Sequence, residues 1–508
     1  MPRDRYRFRL GVATAAIVVG AMVRLTSAAP INGFTPGDLV ISTVACSVPA
    51  AVCSGASGGL DTASPITLQE FQLGAGGTSA APVGTLTLPQ TSVGSNSPIS
   101  GEYGSASEGF LQLSTDGHSL TIMGYGVNAA MFNNAPLSTY GTAALGQTTS
   151  LTAANQTGTV YTTVPRVVAL IGTNGSVDTS TALTGVFNTN NPRSAATVDG
   201  TSFYVSGQGA SKTDTTQGVF LASLGATTAT PIDNTTDTRA VSILNEGSGN
   251  TLYVSRDYNP PGSGSQNFSN VGSLTGPSSG LPTSSSGLVT THIVPPASPF
   301  SSGGNNGSIN LTLGTANGVN NSRIGSFVYV SPEQYFFASP TVLYVTDSGQ
   351  PKNGNAGKAA LGEGGLQKWV LSSGVWTLDY DLYNGLDLVD NANANSATPT
   401  APGVTGLFGL TGEVVGDQVE LFATSYGLNE LSPSYLYEIT DMLDYTTAAE
   451  ASGEMFSTLY AAPTDTSIRG LSFAPVPAPV PEPSSLALVA AGLAGLGLIR
   501  RRNGRQSS

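Results

Sequence analysis

The sequence predicts an all-β fold, a β-propeller of six blades, and three observations support this prediction. From about residue 36 to 475 the chain shows almost no helical period. Short alternating strands recur there instead, bounded by Gly, Asn, Asp and Pro. These strands group into units of four, which is the number of strands in a propeller blade.

The most frequent element is an aromatic or aliphatic strand that ends in a turn of small residues. Its copies are HSLTIMGYG from His118, TSFYVSGQG from Thr201, NTLYVSRDY from Asn250, TVLYVTDSG from Thr341 and VELFATSYG from Val419. Another strand precedes each copy, so that units begin near residues 108, 193, 239, 325 and 406. Outer strands such as VPRVVALIG and QGVFLASLG follow and complete the units.

The sixth blade is predicted to be shared between the two ends of the chain. IRGLSFAP (468–475) has the character of an innermost strand, and segments from Gly37 and Pro65 supply the next two strands. A ring closed in this way leaves no exposed strand edges. Seven blades are an alternative, because the intervals 108–193 and 239–325 are long. A β-helix and a chain of sandwiches are the competing folds.

Low-complexity tracts of Ser, Thr, Asn and Gly interrupt the strand pattern. The main ones lie around residues 259–322 and 391–405. We expect them to be solvated connections between blades. The propeller ectodomain is therefore predicted to span residues 30–475.

Residues 1–29 are predicted to be an export signal peptide. The segment begins with a basic region, continues as an apolar helix over residues 10–23 and ends in a small-residue cleavage site. Its basic residues are Arg3, Arg5, Arg7 and Arg9. Cleavage is expected after Ala29. An uncleaved N-terminal anchor is the alternative.

The C-terminal region has three parts: a Pro-rich linker over residues 476–484, an apolar run and a basic tail. A transmembrane helix is predicted over residues 484–499. At about 1.5 Å per residue it spans roughly 24 Å of a hydrocarbon core about 30 Å thick, and flanking arginines can snorkel to make up the difference. The basic residues of the tail are Arg500, Arg501, Arg502 and Arg505. They orient the tail inside and the body of the protein outside.

The segment VPEPSSLALVAAGLAGLGLIRRRN resembles the PEP-CTERM sorting signal of bacterial exported proteins. The Pro-Glu-Pro of that signal is matched by Pro481, Glu482 and Pro483, and the apolar helix and arginines follow in order, over residues 481–505. The resemblance implies processing by an exosortase, a membrane transpeptidase-like enzyme. It also implies sorting to the cell surface and association with exopolysaccharide and the biofilm matrix. It covers only the tail and implies nothing about the fold of the middle.

Composition narrows the range of partners. Only 10% of the 508 residues are charged, and the net charge is −13. Removal of the signal and the basic tail leaves 10 basic and 31 acidic residues, a net charge near −21. Such a surface excludes nucleic acid and resists anionic lipid, whereas it tolerates neutral glycans. The 39% of hydrophobic residues suffice for a large core and argue against global disorder.

Cysteine and histidine are too scarce to predict a metal centre or a cofactor. Cys46 and Cys53 are close enough in an exported chain to permit a local disulfide. His118 and His292 stand in contexts that nominate no general base, and the chain has no G-x-S-x-G motif. Loop-bound calcium is an open alternative without EF-hand spacing. The carboxylates that could supply it are Asp214, Asp233, Asp237, Asp387 and Asp390.

Four charged residues occupy matching positions in four of the predicted units. Arg193, Arg239 and Arg469 each open a predicted innermost strand, and Glu108 occupies the matching region of the first unit. In a propeller these positions rim the central channel. They could form a polar ring that holds an anionic or hydroxyl-rich ligand, since arginine offers forked donors. Alternatively each arginine bonds to carbonyls or acids of the adjacent blade and fixes the blade spacing.

Trp369 and Trp376 lie on adjacent predicted strands, where they either stack on sugar rings or pack between blades. The sequence as a whole predicts an exported propeller that serves as a non-catalytic binding or structural component of the cell surface or exopolysaccharide matrix. An adhesin would share these features. The rival prediction is an extracellular enzyme, a lyase or hydrolase acting on polysaccharide, which would need clustered acid and base groups on one face of the ring.

Overall fold

The computed structural model describes the middle of the chain and leaves out its two ends. The described residues are 28–47, 59–105, 107–152, 158–211, 213–256, 270–278, 280–294, 308–310, 327–329, 332–349, 364–386, 388, 403–427 and 432–478. Within these ranges the only α-helices are α1 (Ala129–Asn133) and α2 (Leu137–Tyr140). No helix in the described part of the chain is long and apolar enough to cross a membrane. The predicted signal helix and the predicted transmembrane helix over 484–499 lie outside the described residues.

Apart from two short 3-10 helices, Ala75–Gly77 and Glu450–Gly453, the rest of the described regular structure is β-strand, which confirms the all-β prediction. The first part of the chain contains β1 (Ala29–Pro30), β2 (Leu39–Ala45), β3 (Ala63–Leu73), β4 (Ala80–Thr87), β5 (Ser100–Glu102), β6 (Gln112–Leu113), β7 (Ser119–Tyr125), β8 (Arg166–Gly172) and β9 (Val177–Leu183). The middle contains β10 (Pro192–Ala196), β11 (Ser202–Gly207), β12 (Gly218–Ser223), β13 (Thr230–Asp233), β14 (Val241–Asn245), β15 (Asn250–Arg256), β16 (Asn270–Thr275), β17 (Val289–Val294), β18 (Ser308–Asn310) and β19 (Phe327–Tyr329). The last part contains β20 (Pro332–Ser339), β21 (Val342–Asp347), β22 (Gly365–Ser372), β23 (Val375–Leu382), β24 (Val404–Val415), β25 (Gln418–Gly427), β26 (Tyr435–Met442), β27 (Ser457–Ala461) and β28 (Thr466–Phe473).

Four sheets share one form, an antiparallel meander of four strands in chain order. They are β10–β13, β14–β17, β20–β23 and β24–β27. Strands β18 and β19 pair separately as a two-stranded sheet. A four-stranded meander is the unit from which a propeller is built, and the arrangement of these small sheets is propeller-like.

The remaining strands form a ten-stranded sheet with the order β1-β4-β3-β5-β7-β8-β9, to which β2, β28 and β6 are paired. In it β28 runs antiparallel to β2, from the pair Leu39 and Phe473 to the pair Ala45 and Thr466. Strand β2 in turn pairs with β3. The strand nearest the C-terminal end of the described chain is thus hydrogen-bonded to the N-terminal part. This agrees with the pairing that the sequence predicts for residues 468–475.

The inner strands of successive sheets lie side by side around an axis. Strands β6 and β7 contact β10, β10 contacts β14, β15 contacts β20, β20 contacts β24 and β24 contacts β28. Strand β28 also contacts β6, so the contacts return to their starting point. The sheets therefore form a closed ring, and no flat sheet edge has to be left open along the ring.

Apolar side chains fill the centre of this ring. Phe110, Ala240 and Phe408 belong to one buried cluster although they come from three different sheets. Close to it, the Gly470 amide donates to the Gly109 carbonyl at 3.0 Å. A Cβ atom on Gly470 would lie 2.2 Å from the Leu111 nitrogen, so only glycine permits this approach of two backbones.

The predicted unit start near residue 325 was wrong. The sequence favours IGSFVYVSP as an innermost strand, but Phe327–Tyr329 pairs with β18, and the strand that pairs with β21 is β20. Strand β20 begins at Pro332, and proline is tolerated at the first position of a strand. The apolar triplet at 327–329 has the pattern of a strand of the unit, and for this reason the unit was predicted to start too early in the chain.

The prediction that residues 259–322 are loop was also wrong in part. Strands β16 and β17 fall inside this range and complete the sheet that contains β14 and β15. Their sequences, NVGSLT and VTTHIV, are rich in small and hydroxyl residues, which masks the alternation. Threonine is β-branched and suits a pleated surface in spite of its polarity.

Candidate functional site

The four charged residues that the sequence places at the start of innermost strands are all buried. Glu108, Arg193, Arg239 and Arg469 are each 6% exposed or less. They lie at the end of the ring where the innermost strands begin, which we call the entry end. A ligand at this end would have to displace protein partners to reach them.

Each of these arginines bonds to a neighbouring segment of the ring. Arg193 forms an ion pair with Asp237 and donates to Gln208 Oε1 at 2.7 Å. Arg239 Nη1 lies 3.3 Å from Glu333 Oε2 on the next sheet. Arg469 Nη2 donates to the carbonyls of Tyr103 at 2.8 Å and Glu102 at 3.3 Å.

Glu333 belongs to the same set of buried charged residues at the innermost strands, but the sequence does not reveal it. It lies in β20 next to Pro332, just as Arg193 follows Pro192 in β10. The displaced unit start at 325 hid this equivalence. Burial raises the pKa of Glu333 to about 7, although Arg239, Ser348 and Arg193 act in the opposite direction.

A polar cleft opens at the entry end beside these buried charges. It has room for about 480 Å³. The residues that line it are Asp61, Glu102, Gly146, Gln147, Thr189, Asn190, Asn191 and Ala210. We call this set the entry cleft. Apart from Gly146 and Ala210, all these residues carry a hydrogen-bonding side chain.

Arg166 holds one wall of the entry cleft in place. Its fully buried guanidinium donates to the carbonyls of Phe187, Asn190, Thr148 and Val164 at 2.8–3.2 Å. Burial lowers the pKa of Arg166 to about 10, although nearby Tyr125, Glu108 and Glu102 act in the opposite direction. A cation surrounded by backbone carbonyls in this way fixes the path of the chain.

The wall itself is conformationally strained. Phe187 and Thr189 have φ values of 48° and 51°, in the left-handed region that side chains rarely adopt. Threonine is β-branched, so this conformation is costly there, by about 1–3 kcal/mol. The bonds from Arg166 to the carbonyls of Phe187 and Asn190 stabilise it.

Glu102 lies at the floor of the entry cleft, and a second glutamate, Glu108, is buried behind it. Glu102 is 8% exposed, and its Oε1 accepts from the Gly146 amide at 3.1 Å. Glu108 lies deeper, and its Oε1 accepts from the Glu102 amide at 2.5 Å. Burial raises the pKa of both carboxyl groups; Glu108 and Asp61 raise that of Glu102 further, while Arg469 opposes both shifts.

Asn191 is held at the cleft by three partners. Its Nδ2 donates to Ser105 Oγ at 2.7 Å and to Ser107 Oγ at 3.2 Å. Its Oδ1 accepts from the Tyr125 hydroxyl at 3.2 Å. Neighbouring Asn190 donates through Nδ2 to the Gly209 carbonyl at 3.1 Å. The amides of this wall are therefore fixed before any ligand arrives.

The other candidates from the sequence lie apart from the cleft. Trp369 is buried in the central apolar cluster, and Trp376 packs edge-on against Phe337. His118 forms a hydrogen bond through Nδ1 with the Val476 carbonyl at 2.8 Å. Cys53 lies outside the described residues, so its disulfide with Cys46 stays a prediction.

The carboxylates considered for calcium are dispersed. Asp233 binds Arg256 at 2.8 Å, Asp237 binds Arg193, and Asp214 caps its own turn by accepting from the Thr216 amide. Asp387 and Asp390 lie outside the described residues. Within the described ranges, no group of three His, Cys, Asp or Glu side chains is placed to hold a metal ion.

Fold and site together define a propeller-like protein with buried charges between its sheets and a polar cleft at its entry end. Residues 479–502 match the PEP-CTERM protein-sorting motif, which confirms the resemblance seen in the sequence. The motif indicates an exported, surface-sorted protein and is the segment that exosortase recognises. The matched residues, among them Pro481, Glu482 and Pro483, lie outside the described part of the structure.

Two solved structures illustrate what the fold is similar to. An oligogalacturonate lyase from Vibrio parahaemolyticus is 8% identical, with 74% of this chain and 83% of that chain covered and a TM-score of 0.31. The endosialidase of phage phi92 is 7% identical, with coverages of 72% and 51% and a TM-score of 0.26. Likenesses this distant carry no argument about activity. A search of curated proteins found no match.

Proposed function

We propose that this chain is an exported, surface-sorted propeller that acts as a non-catalytic binding or structural component of the cell surface or exopolysaccharide matrix. The observation that carries the proposal is the sorting motif at residues 479–502. In this proposal the signal peptide is removed after Ala29, the helix over 484–499 anchors the precursor, and exosortase then releases the ectodomain from that anchor.

We further propose six blades. Four are the four-stranded sheets already described. Strand pairing divides the ten-stranded sheet into two more groups of four, β28-β2-β3-β4 and β6-β7-β8-β9, joined through β5. The first of these groups would be the blade shared between the two ends of the chain, with β28 as its innermost strand.

A binding role is favoured over catalysis by the position of the two glutamates. Hydrolysis of a polysaccharide canonically uses two carboxyl groups that flank the scissile bond. Glu102 lines the entry cleft, whereas Glu108 is 3% exposed and is not among the lining residues. The alternative function, a lyase or hydrolase acting on polysaccharide, would have to use Glu102 with Asp61, the other carboxyl group that lines the cleft, and not with Glu108.

Sorting is tested by fractionating cells that express the full chain together with exosortase. We expect the wild type in the surface and matrix fraction. Replacement of Pro481, Glu482 and Pro483 by Ala should leave the protein in the membrane fraction. Glu413→Ala, an exposed glutamate in β24, is the matched control and should sort normally. Equal partitioning of the triple variant and the wild type would contradict the proposal.

Binding and catalysis are separated by incubating the full chain with exopolysaccharide, with and without calcium. Saturable retention without shortened products supports the binding role. Release of oligosaccharides would place the enzyme alternative first. Dependence of retention on calcium would assign loop carboxylates a role.

A further inference from the structure

The entry cleft combines space with fixed polar groups. Its volume of about 480 Å³ falls within the roughly 300–1,000 Å³ of small-ligand sites. Glu102 is anchored through Oε1 to the Gly146 amide. Among the described residues no protein group forms a hydrogen bond with Glu102 Oε2.

Gly146 keeps this polar surface open. A Cβ atom there would lie 2.6 Å from Glu102 Oε2 and 2.9 Å from Asn191 Oδ1. Its φ is not in the left-handed region, so space and not backbone conformation favours glycine. Any larger residue would push two polar groups away from the positions that Asn191 and Glu102 now occupy.

We propose that the entry cleft binds a neutral, hydroxyl-rich polysaccharide segment through Glu102, Gln147, Thr189, Asn190 and Asn191. The inference rests on the proposed surface role and names the ligand class. Amide, hydroxyl and carboxyl groups offer donors and acceptors side by side, as sugar hydroxyls require. Asn190 and Asn191 are fixed in advance, which lowers the entropy lost on binding.

Charge selects against the other ligand classes. No Lys or Arg is among the described residues that line the cleft, and the Asp61 carboxylate would repel a uronate or phosphate. Arg166 stands behind the wall with its donors already used by carbonyls. A divalent cation would find only two carboxyl groups there, one of them Glu102 with a raised pKa, and no metal-binding group of three is found in the described part of the chain.

The test measures binding of neutral glucan, mannan and galactan hexasaccharides to the full chain by calorimetry. Because the full chain includes the predicted transmembrane helix, it is kept in detergent, and this detergent must lack a sugar headgroup. Galacturonate hexasaccharide and calcium alone are the comparison probes. We expect saturable binding of at least one neutral hexasaccharide, and no binding of the uronate.

Two blocking variants locate the site. Gln147→Trp and Ala210→Trp place a bulky ring at exposed lining positions, and each should weaken neutral hexasaccharide binding at least tenfold. Gln418→Trp, at the exposed first residue of β25, is the matched control and should bind like the wild type. Unchanged thermal unfolding of all three shows that they fold.

The outcomes separate this inference from the function on which it rests. If neutral hexasaccharides still bind both blocking variants, the entry cleft is not the binding site, but the proposed function stands. Binding of uronate or calcium alone overturns the neutral ligand class. Failure of every hexasaccharide to bind also overturns the inference, while the cell fractionation test still decides on surface sorting.

Discussion

Phe110 and Phe408 stack nearly face to face where the innermost strands converge, with ring centroids 4.2 Å apart and planes inclined by 23°. Phe110 lies two residues before β6, and Phe408 lies in β24. Both rings are buried, so an aromatic pair fills the centre of the ring. A centre filled in this way directs ligands toward the ends of the ring, where the entry cleft lies.

Removal of this pair should weaken the whole ring. We expect Phe110→Ala to lower the free energy of unfolding by about 3–5 kcal/mol, because it deletes a buried aromatic side chain and leaves a cavity between sheets. Urea denaturation of the full chain measures the change. Leu113→Ala, in β6 and 38% exposed, is the control and should cost less than about 1 kcal/mol. Equal losses for the two variants would contradict a central role for Phe110.

The second prediction concerns stability and follows from the close contact between Gly470 and the segment 109–111. A Cβ atom at residue 470 would lie 2.2 Å from the Leu111 nitrogen and 2.5 Å from the Gly109 oxygen. Backbone atoms cannot move aside as side chains do, so Gly470→Ala should destabilise the fold by about 3 kcal/mol. Gly453→Ala meets nothing within 4 Å and should change stability by less than about 0.5 kcal/mol. Thermal unfolding of both variants measures the difference, and a stable Gly470→Ala protein would disprove the close packing.

Much of the fold could be predicted from local patterns. Apolar alternation and a closing turn predict strands such as β11, β21 and β25. A similar pattern predicts β28 near the C-terminal end. Local pattern failed where composition concealed it, in β16 and β17. It also failed where a competing apolar triplet stood nearby, as at residues 327–329 ahead of β20.

The candidate site was harder to foresee, because it depends on which segments meet in space. The sequence singles out Glu108 and three arginines by their repeat position, but it does not show that Arg239 faces Glu333 or that Arg469 faces backbone carbonyls. Glu102 lies in β5, outside the repeat, and carries no distinguishing pattern. Arg166 could have been noticed as the one charge in the apolar strand VPRVVALIG, since a buried strand tolerates a cation only when it is fully hydrogen-bonded.

Arg166 provides the third prediction. Arg166→Met keeps an unbranched apolar stem but removes the donors to the carbonyls of Phe187 and Asn190. Unsatisfied buried carbonyls should cost on the order of 3 kcal/mol, and the strained wall should open locally. Hydrogen exchange of the amides over residues 187–191 should then quicken. Arg166→Lys keeps the charge but lacks the planar fork, so it should restore only part of the protection. Unaltered exchange in both variants would show that the wall is held by other contacts.

Glu333 makes stability depend on pH in a definite direction. Burial raises its pKa from 4.5 to about 7 in the folded protein, so between these values the folded state binds a proton that the unfolded state has lost. Its contribution to stability is therefore full below about pH 4.5 and falls as the pH rises to about 7. The fall corresponds to on the order of 3 kcal/mol. Glu333→Gln cannot ionise and should lose this part of the pH dependence.

The measurement is a comparison of urea unfolding at pH 5 and pH 8. Going from pH 5 to pH 8, the wild type should lose stability relative to Glu333→Gln. The Ser348 hydroxyl donates to Glu333 Oε1 at 2.9 Å, and the amide oxygen of Gln can accept the same hydrogen bond. Glu413→Gln, at an exposed position of β24, is the control and should follow the wild type at both pH values. If the gap between the wild type and Glu333→Gln is the same at both pH values, Arg239 at 3.3 Å outweighs burial and holds Glu333 ionised throughout.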